Sequence, residues 1–271
     1  MKGITMKAIN NIALALSITA AAAAPALAAP ATNVQPSIKP TVILVHGAFA
    51  DATSWNGVAT RLRADGYDVI GAANPLRSVK GDAGSVANIV KSVKGPVVLV
   101  GHSYGGAVIS AAANGQPNVK GLVYVAAFAP EQGETALELS GRYPGGTLGS
   151  ALAAPVTLAD GGKDFYIQQD KFHQQFAADL PKAQAELMAV AQRPIAEAAL
   201  TEAAGAPAWK KLPSYFIYGT GDKNIPAAAL GFMAERAKSR KTVAVPGASH
   251  VVMTSHPDAV ARLIEEAAQA K

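Results

Sequence analysis

One serine of the chain lies in a glycine-rich turn of the kind that exposes a nucleophile. The residues Gly101-His102-Ser103-Tyr104-Gly105 follow an apolar run, Val97 to Val100, and lead directly into a helical pattern from Tyr104 to Asn114. A G-x-S-x-G sequence between a strand and a helix forms a sharp turn that presents the serine hydroxyl. The pattern predicts that Ser103 is a nucleophile, and a glycine-serine turn without chemistry is the alternative.

A serine hydroxyl is a weak nucleophile, so an acid–base pair must accompany it. His250 follows the apolar run from Thr242 to Val245, and Asp222 follows the run from Tyr215 to Tyr218 through Gly-Thr-Gly. The chain order serine, aspartate, histidine is the one that accompanies such a turn. Because the carboxyl ends of parallel strands meet at one edge of a sheet, we expect Ser103, Asp222 and His250 to converge there as nucleophile, orienting acid and base.

The other four histidines compete for the role of base. His256 directly precedes Pro257 and the last helical pattern, a position typical of a helix cap, and His173 lies in a polar helical stretch. His46 and His102 adjoin glycines in the two turns that would flank the site, so we expect them to pack or hydrogen-bond there. The five histidines lack the spacing of a zinc site, and the chain contains no cysteine.

Two backbone N–H groups must stabilise the negative charge that develops when a serine attacks a carbonyl group. Tyr104, the residue after the nucleophile, is predicted to supply one of them. The loop after the first strand, His46-Gly47-Ala48-Phe49, is predicted to supply the other through Ala48, with Phe49 in the wall of the substrate pocket. A simple strand-ending turn at this His-Gly pair is the alternative interpretation.

Short apolar runs alternate with helical patterns after residue 40. The runs are rich in β-branched and aromatic residues, which favours strands over helices. They cover Val42 to Val45, Asp68 to Gly71, Val97 to Val100, Leu122 to Val125, Tyr215 to Tyr218 and Thr242 to Val245. The helical patterns cover Thr53 to Ala64, Ser85 to Val93, Tyr104 to Asn114, Pro226 to Ala237 and Pro257 to Ala268. This alternation predicts an α/β fold with a mostly parallel sheet and helices on both faces.

The stretch from about Pro130 to Leu212 breaks the alternation. It contains Gly/Pro-rich turns and Ala-rich helical patterns but no apolar run as strong as those before and after it. We therefore predict a helical lid, inserted between two strands over the edge of the sheet where ligands bind. Phe128 and Phe172 are predicted to bind the substrate. Aromatic residues here, Phe176 among them, fit the core of the lid equally well.

The N-terminus has the layout of a secretory signal peptide. Lys2 and Lys7 precede an apolar stretch from Ile12 to Ala24, and the small residues of Ala26-Leu27-Ala28 fit a cleavage site. An uncleaved membrane anchor is the alternative, although the apolar stretch is shorter than the roughly 20 residues that a span needs.

The domain organisation follows from this layout. We predict a signal peptide over residues 1–28, a linker over 29–40 and one catalytic domain over 41–271, with the lid at about 130–212. The protein would then be exported to the periplasm or secreted, without stable membrane insertion after cleavage. N-terminal sequencing of the exported protein tests this, with a start near Ala29 expected and an intact Met1 contradicting it.

The charge of the chain does not favour a nucleic-acid partner. The formal net charge is +5, and without Lys2 and Lys7 the chain keeps 22 basic and 19 acidic residues, a net charge of +3. Short basic clusters occur at Lys210-Lys211 and from Arg236 to Lys241, but aromatic residues are not interleaved with them. We interpret these clusters as solvated helix ends and expect a small-molecule substrate; the sequence gives no prediction of oligomeric state.

At these motifs the chain resembles the α/β-hydrolase superfamily, most closely the branch of plant methylesterases and hydroxynitrile lyases with their bacterial esterase-like relatives. The resemblance extends from Thr41 to the C-terminus, and the lid is its least diagnostic part. It rests on the motifs Val42 to Ala48, Val100 to Gly106, Val123 to Phe128 and Pro246 to His250. It implies an α/β-hydrolase fold and acyl transfer without a cofactor or metal, in which Ser103 forms an acyl-enzyme that water then hydrolyses.

Departures from sibling activities narrow what the resemblance implies. Lyases of that branch have a threonine in the first loop and a lysine after the histidine, where this chain has Gly47 and Val251. Dehalogenases and epoxide hydrolases have aspartate in place of Ser103. We therefore expect a carboxylesterase-like serine hydrolase that acts on small to medium uncharged esters. A perhydrolase or other acyl transferase, and a slow-turnover ligand-binding protein, are the alternatives.

Overall fold

The structure, a computed structural model, describes residues 39–270. The predicted signal peptide (1–28), residues 29–38 of the predicted linker, and Lys271 lie outside the described residues. Across the described range, every helix is too short or too polar to cross a membrane.

Nine strands form two sheets in the described part of the chain. They are β1 (Thr41–Val45), β2 (Val69–Ala72), β3 (Val97–His102), β4 (Val119–Val125), β5 (Val156–Thr157), β6 (Lys163–Phe165), β7 (Ile195–Ala196), β8 (Ser214–Gly219) and β9 (Lys241–Val245). Six form a parallel sheet in the order β2-β1-β3-β4-β8-β9, and β5-β6-β7 form a small antiparallel sheet. The parallel strands are the six predicted apolar runs, extended or shifted by one to three residues.

Eleven α-helices connect and cover these strands within residues 39–270. They are α1 (Asn56–Ala64), α2 (Val79–Ser92), α3 (Tyr104–Ala112), α4 (Ala136–Gly141), α5 (Leu148–Ala151), α6 (Gln169–Phe176), α7 (Lys182–Ala191), α8 (Glu197–Thr201), α9 (Ala227–Arg236), α10 (Val252–Ser255) and α11 (Pro257–Gln269). Two 3-10 turns, Ala52–Trp55 and Ala208–Lys210, precede α1 and β8. The predicted α/β architecture is confirmed.

The order in which strands are added to the sheet reverses between β1 and β3. The chain moves from β1 outward to β2 and then returns to β3 on the other side of β1. Right-handed crossovers then put α1 and α2 on opposite faces, and accordingly α1 packs against α11 while α2 packs against α3. Such a switch point opens a crevice at the carboxyl ends of the strands. The loops after β1 and β3 line this crevice.

Helix α2 begins six residues before the predicted start at Ser85. Ser78 caps it, because its hydroxyl accepts a hydrogen bond from the N–H of Gly81 at 3.1 Å. Val79 and Asp82 in the first turn are buried. The glycines at 81 and 84 interrupt the apolar period, so the prediction missed the first two turns of the helix.

The lid between β4 and β8 contains helices α4 to α8, but it is not purely helical. The antiparallel sheet β5-β6-β7 lies within it. Its strands are two or three residues long, too short for an alternating pattern to register in the sequence. The indole N–H of Trp209 donates to the carbonyl of Pro130 at 3.0 Å and so joins the two ends of the lid.

Glu134 anchors the start of the lid to the sheet domain. Both of its oxygens accept from the guanidinium of Arg236 on α9, each at 2.8 Å, and Arg142 adds a third bond at 2.8 Å. Burial alone would raise the pKa of Glu134, but the hydrogen bonds from Arg236 and the neighbouring backbone outweigh it and lower the pKa to about 2. The carboxylate is therefore ionised wherever the fold is intact at moderate pH.

We predict that Glu134→Gln lowers the free energy of unfolding at pH 7 by about 1–3 kcal/mol, since it leaves two arginines without their charged partner. The pKa of Glu134 is lower in the folded chain than its ordinary value of 4.5. Its contribution is therefore complete above pH 4.5 and is lost as the pH falls toward 2. Denaturant unfolding of both proteins across this range should show curves that converge at low pH.

Glu235→Gln is the matched control for this prediction. Glu235 precedes Arg236 in α9 but is exposed and makes no ion pair among the described residues. Its replacement should leave the free energy of unfolding within about 0.5 kcal/mol of the wild-type value. Equal effects of the two substitutions, or a Glu134→Gln difference independent of pH, would contradict the assignment.

Candidate active site

Ser103 lies in a strained turn between β3 and α3. Its backbone has φ 53° and ψ −123°, a left-handed conformation that costs energy for a residue with a side chain. A Cβ on Gly101 would lie 2.5 Å from the carbonyl oxygen of Gly105, and one on Gly105 would lie 2.5 Å from that of Val45. A larger residue at 101 would force the turn apart, and a larger residue at 105 would push the turn away from β1. The structure thus has the sharp elbow that the sequence motif predicted.

The loop after β1 approaches the same serine. A Cβ on Gly47 would lie 2.5 Å from the Cβ of Ser103, so only glycine permits this contact. Within the described residues, the N–H groups of Ala48 and Tyr104 donate no hydrogen bond, whereas that of Phe49 donates to the carbonyl of Arg193 at 2.9 Å. Ala48 and Tyr104 therefore keep free donors beside Ser103, as an oxyanion hole requires.

His250 and Asp222 form a buried pair at the ends of β9 and β8. The Nδ1 of His250 lies 2.6 Å from Asp222 Oδ2, and both side chains are almost completely buried. The other carboxylate oxygen accepts from the N–H groups of Asn224 at 2.8 Å and Ile225 at 2.9 Å. Since the carboxylate accepts, Nδ1 of His250 is the donor, and Nε2 is the ring nitrogen that Asp222 does not engage. This arrangement suits a base.

The Nε2 atom of His250 is buried and makes no hydrogen bond within the described residues. The hydroxyl of Ser103 is therefore not bonded to it in this structure. In enzymes without bound substrate, catalytic hydrogen bonds are often long and tighten only in the complex. The ring of His250 lies 4.8 Å from that of His102, the residue next to Ser103, measured between centroids.

His46 and His102 hydrogen-bond beside the site, as predicted. His102 Nε2 donates to the carbonyl of His250 at 3.1 Å, and burial followed by repulsion from His250 lowers its pKa well below the usual value. His46 Nδ1 donates to the carbonyl of Gly47 at 2.9 Å, and its Nε2 accepts from the N–H of Asn74 at 3.1 Å. Burial lowers the pKa of His46 as well. Both rings are neutral supports of the two loops.

The remaining histidines lie outside the cluster around Ser103. His173 on α6 contacts the carbonyl of Leu180 through Nε2 at 2.9 Å. His256 occupies the N-cap position of α11, but its side chain makes no capping bond; its Nδ1 contacts Ser255 Oγ at 2.9 Å. The predicted cap position of His256 is confirmed, and its backbone carbonyl, rather than its side chain, accepts the first hydrogen bonds of α11.

A partly enclosed cavity of about 120 Å³ lies at Ser103. Of the residues predicted for the site, Ala48, Phe49, Ser103, Tyr104 and Phe128 line it. Lid residues close it, including Leu137, Leu148, Leu152 and Leu200. The lining contains no charged side chain among the described residues, so the cavity suits a small apolar group.

Phe172 is not among the residues that line this cavity. It is fully buried in the lid, with its ring 4.9 Å from that of Phe176 one helical turn later. Phe176 instead contacts the site, with ring centroids 5.2 Å from His250 and 6.1 Å from Phe49. The i, i+4 spacing of the two phenylalanines indicates a shared buried face, but which of them contacts the site depends on how the lid docks.

Phe49 also borders a second, more open groove of about 300 Å³. Met188 and Leu187 of α7 line its lid side, and Thr53 and Thr254 line its other side. Phe49 has a left-handed backbone (φ 59°) and is nearly fully buried, so its ring forms a wall common to the groove and the partly enclosed cavity.

A buried carboxylate that no sequence pattern indicates, that of Asp82, hydrogen-bonds to Tyr104, the residue after the nucleophile. Asp82 of α2 accepts a hydrogen bond from the hydroxyl of Tyr104 at 2.9 Å and from the N–H of Arg77 at 3.1 Å. Burial raises the pKa of Asp82. Arg77 in turn donates to Asp164 of β6 at 2.6 Å, which connects the Asp82–Tyr104 pair to the lid.

In a comparison with known proteins, one family match covers the residues of the candidate site. Residues 42–263 match the alpha/beta hydrolase family. The chain is 24% identical over 252 residues to the alpha/beta hydrolase nvfD of Aspergillus novofumigatus, covering 85% of this chain and 97% of that protein. A shorter stretch of 66 residues is 41% identical to a carbendazim hydrolyzing esterase of Nocardioides, covering 21% of this chain and 27% of that protein.

Solved structures show the same fold at low sequence identity. Polyneuridine aldehyde esterase superposes with a TM-score of 0.73 at 17% identity, covering 84% of this chain and 98% of that one. An extracellular alpha/beta-hydrolase from a Paenibacillus species superposes with a TM-score of 0.67 at 24% identity, covering 85% and 100%. The family match spans both loops at Ser103 as well as Asp222 and His250. The chain therefore belongs to the alpha/beta hydrolase family.

Proposed function

We propose that the protein is a serine esterase, with Ser103 as nucleophile, His250 as general base and Asp222 as the residue that orients His250. The observation that carries this proposal is the buried His250–Asp222 pair at the sheet edge where the strained Ser103 turn lies. The free N–H groups of Ala48 and Tyr104 beside it support an oxyanion hole.

The reaction follows from these roles. His250 Nε2 takes the hydroxyl proton as Ser103 Oγ bonds to the ester carbonyl carbon, and the N–H groups of Ala48 and Tyr104 stabilise the resulting oxyanion. His250 then gives the proton to the departing alcohol, which leaves an acyl-enzyme. Water, deprotonated by His250, attacks this ester and releases the carboxylic acid and Ser103. Asp222 stabilises the imidazolium that forms in both steps.

Small to medium uncharged esters are the proposed substrates. A cavity of about 120 Å³ without charged lining residues favours a short apolar acyl group over an ionic one. The alcohol part would lie toward the more open groove at Phe49. Two of the similar proteins are named as a carbendazim hydrolyzing esterase and a pyrethroid hydrolase, which is consistent with hydrolysis of uncharged esters.

Hydrolysis of p-nitrophenyl acetate, butyrate and octanoate by the purified protein tests the proposal. We expect turnover of acetate and butyrate, with octanoate at least about tenfold slower in kcat/KM because its chain exceeds the partly enclosed cavity. Folded protein that turns over none of the three would contradict an esterase of this substrate class. Equal rates across the series would contradict the assigned acyl site.

We predict that Phe49→Ala raises kcat/KM for octanoate relative to butyrate by about tenfold or more. Loss of the ring would join the partly enclosed cavity of about 120 Å³ to the open groove of about 300 Å³. Leu152→Ala is the matched control, because Leu152 lines the cavity but not the groove. The two variants are compared with wild type by initial rates below their melting temperatures. A larger gain in Leu152→Ala than in Phe49→Ala would show that Phe49 is not the limiting wall.

A further inference from the structure

The end of α6 and the turn after it contact both the Asp222 loop and the His250 loop, and Thr147 of the lid also contacts the Asp222 loop, with its N–H donating to the carbonyl of Lys223 at 2.9 Å. The first of these segments, residues 175–179, we call the α6 turn. Its buried Gln175 uses both ends of the amide: Nε2 donates to the carbonyl of Lys223 at 2.9 Å and to Asn224 Oδ1 at 2.8 Å. Oε1 accepts from Thr147 Oγ1 at 2.8 Å. Three bonds hold this side chain in one orientation.

Asn224, one of the two residues in the Asp222 loop that Gln175 bonds, also bonds the Asp222 carboxylate. The carboxylate Oδ1 of Asp222 accepts from the N–H groups of Asn224 and Ile225, which follow it in the same turn. Asn224 is itself buried and lines the cavity at Ser103. Gln175 therefore fixes the backbone that sets the direction of the Asp222 carboxylate.

The other end of the α6 turn reaches the loop of the base. Asp179 accepts a hydrogen bond from the hydroxyl of Ser249, the residue directly before His250. The side chain of Asp179 is only 18% exposed, and Ser249 is buried. Between these two contacts, the ring of Phe176 packs against the ring of His250 at 5.2 Å.

We propose that Gln175 and Asp179 are positioning residues. Through them the docked lid holds Asp222 and His250 in the orientation that the reaction at Ser103 requires. The inference rests on the proposed function. It follows from three independent contacts, one to the acid loop, one to the base loop and one to the ring of the base. A lid that only covered the cavity would need none of them. Preorganisation of this kind acts on the chemical step more than on substrate binding.

The first test compares Gln175→Met with Gln174→Met, the same substitution at the exposed neighbouring position of α6. Methionine keeps the length of the side chain and removes both halves of the amide. We expect Gln175→Met to lower kcat for p-nitrophenyl butyrate on the order of tenfold to a hundredfold, with KM changed less than about twofold. Labelling by a serine-directed phosphonate should slow by the same factor. Gln174→Met should match wild type in both assays.

Proton NMR gives a readout that does not depend on turnover. The Nδ1–H proton of His250, held against Asp222 at 2.6 Å, should give a downfield resonance in wild type and in Gln174→Met. It should broaden or disappear in Gln175→Met at a temperature where circular dichroism shows folded protein. A retained resonance and an unchanged kcat in Gln175→Met would overturn the inference.

The role of Asp179 is tested with two substitutions of Asp179 that differ in whether they keep an acceptor oxygen, and with one control substitution. Asp179→Ala removes the acceptor for Ser249 and should lower kcat by about tenfold, whereas Asp179→Asn keeps an acceptor oxygen and should restore most of it. Asp170→Ala, at an exposed position of α6, should have no effect. Equal losses in the alanine and asparagine variants would contradict a role through this hydrogen bond. A wild-type protein inert to esters and phosphonate would instead overturn the proposed function, while the NMR comparison would still decide the positioning role.

Discussion

Ser103→Ala is expected to lower kcat/KM for p-nitrophenyl butyrate by about 10⁴-fold to 10⁶-fold. Alanine removes the oxygen that would bond to the ester carbonyl, and what remains is the oxyanion hole and substrate binding. The free energy of unfolding should change by less than about 1 kcal/mol, since the Ser103 hydroxyl is not bonded to His250 Nε2 in this structure. Steady-state kinetics and thermal unfolding of the same preparations measure both effects.

Ser140→Ala is the control for this prediction. Ser140 also lines the cavity, but its hydroxyl is bonded to the carbonyl of Leu137 at 2.7 Å. It should retain at least about half of the wild-type kcat/KM. A Ser103→Ala variant within tenfold of wild type would show that another residue attacks the ester.

His250→Ala should produce a loss of similar size, about 10⁴-fold or more in kcat, because no other imidazole can take the proton of Ser103. Both ring nitrogens of His46 are bonded to backbone groups. His102 donates through Nε2 to the carbonyl of His250 and its Nδ1 makes no hydrogen bond within the described residues, but burial lowers its pKa well below the usual value, which makes it a weak base. Removal of the imidazole also leaves Asp222 buried without one of its partners, which should cost about 1–3 kcal/mol of stability. Kinetics are therefore measured well below the melting temperature of the variant.

His256→Ala tests whether His256, the histidine nearest to His250 in sequence, acts as the base instead. The His256 side chain is 42% exposed, and its Nδ1 lies 3.8 Å from Asp179 Oδ2. It does not line the cavity at Ser103. Its loss should change kcat by less than about twofold. If His256→Ala were inactive and His250→Ala active, the buried His250–Asp222 pair would be structural and the base misassigned.

The sheet and the loops of the site were predictable from sequence because local patterns encode them. β3 is buried at every residue, so its run of Val and Leu reads as a strand covered on both faces. The Ser103 turn needs glycines at fixed offsets, which leaves a visible motif. Asp222 and His250 could be placed because each follows a parallel strand within a few residues, Asp222 after β8 and His250 after β9.

The lid could not be predicted to the same depth, because long-range packing determines its contacts. Phe172 and Phe176 share one helical face, and only the docking of α6 decides that Phe176 contacts His250. Gln175 and Glu134 bind partners far away in sequence, so no local period indicates their roles. The early start of α2 was indicated by Ser78 as a cap, but the glycines at 81 and 84 obscured it.

Mapping the adduct of a serine-directed phosphonate by mass spectrometry tests the central claim most directly. The account predicts a single adduct, located on Ser103, that forms in proportion to the loss of p-nitrophenyl butyrate hydrolysis and fails to form in Ser103→Ala. An adduct on another residue, or full activity in protein whose Ser103 is completely modified, would contradict the assignment of Ser103 as the nucleophile.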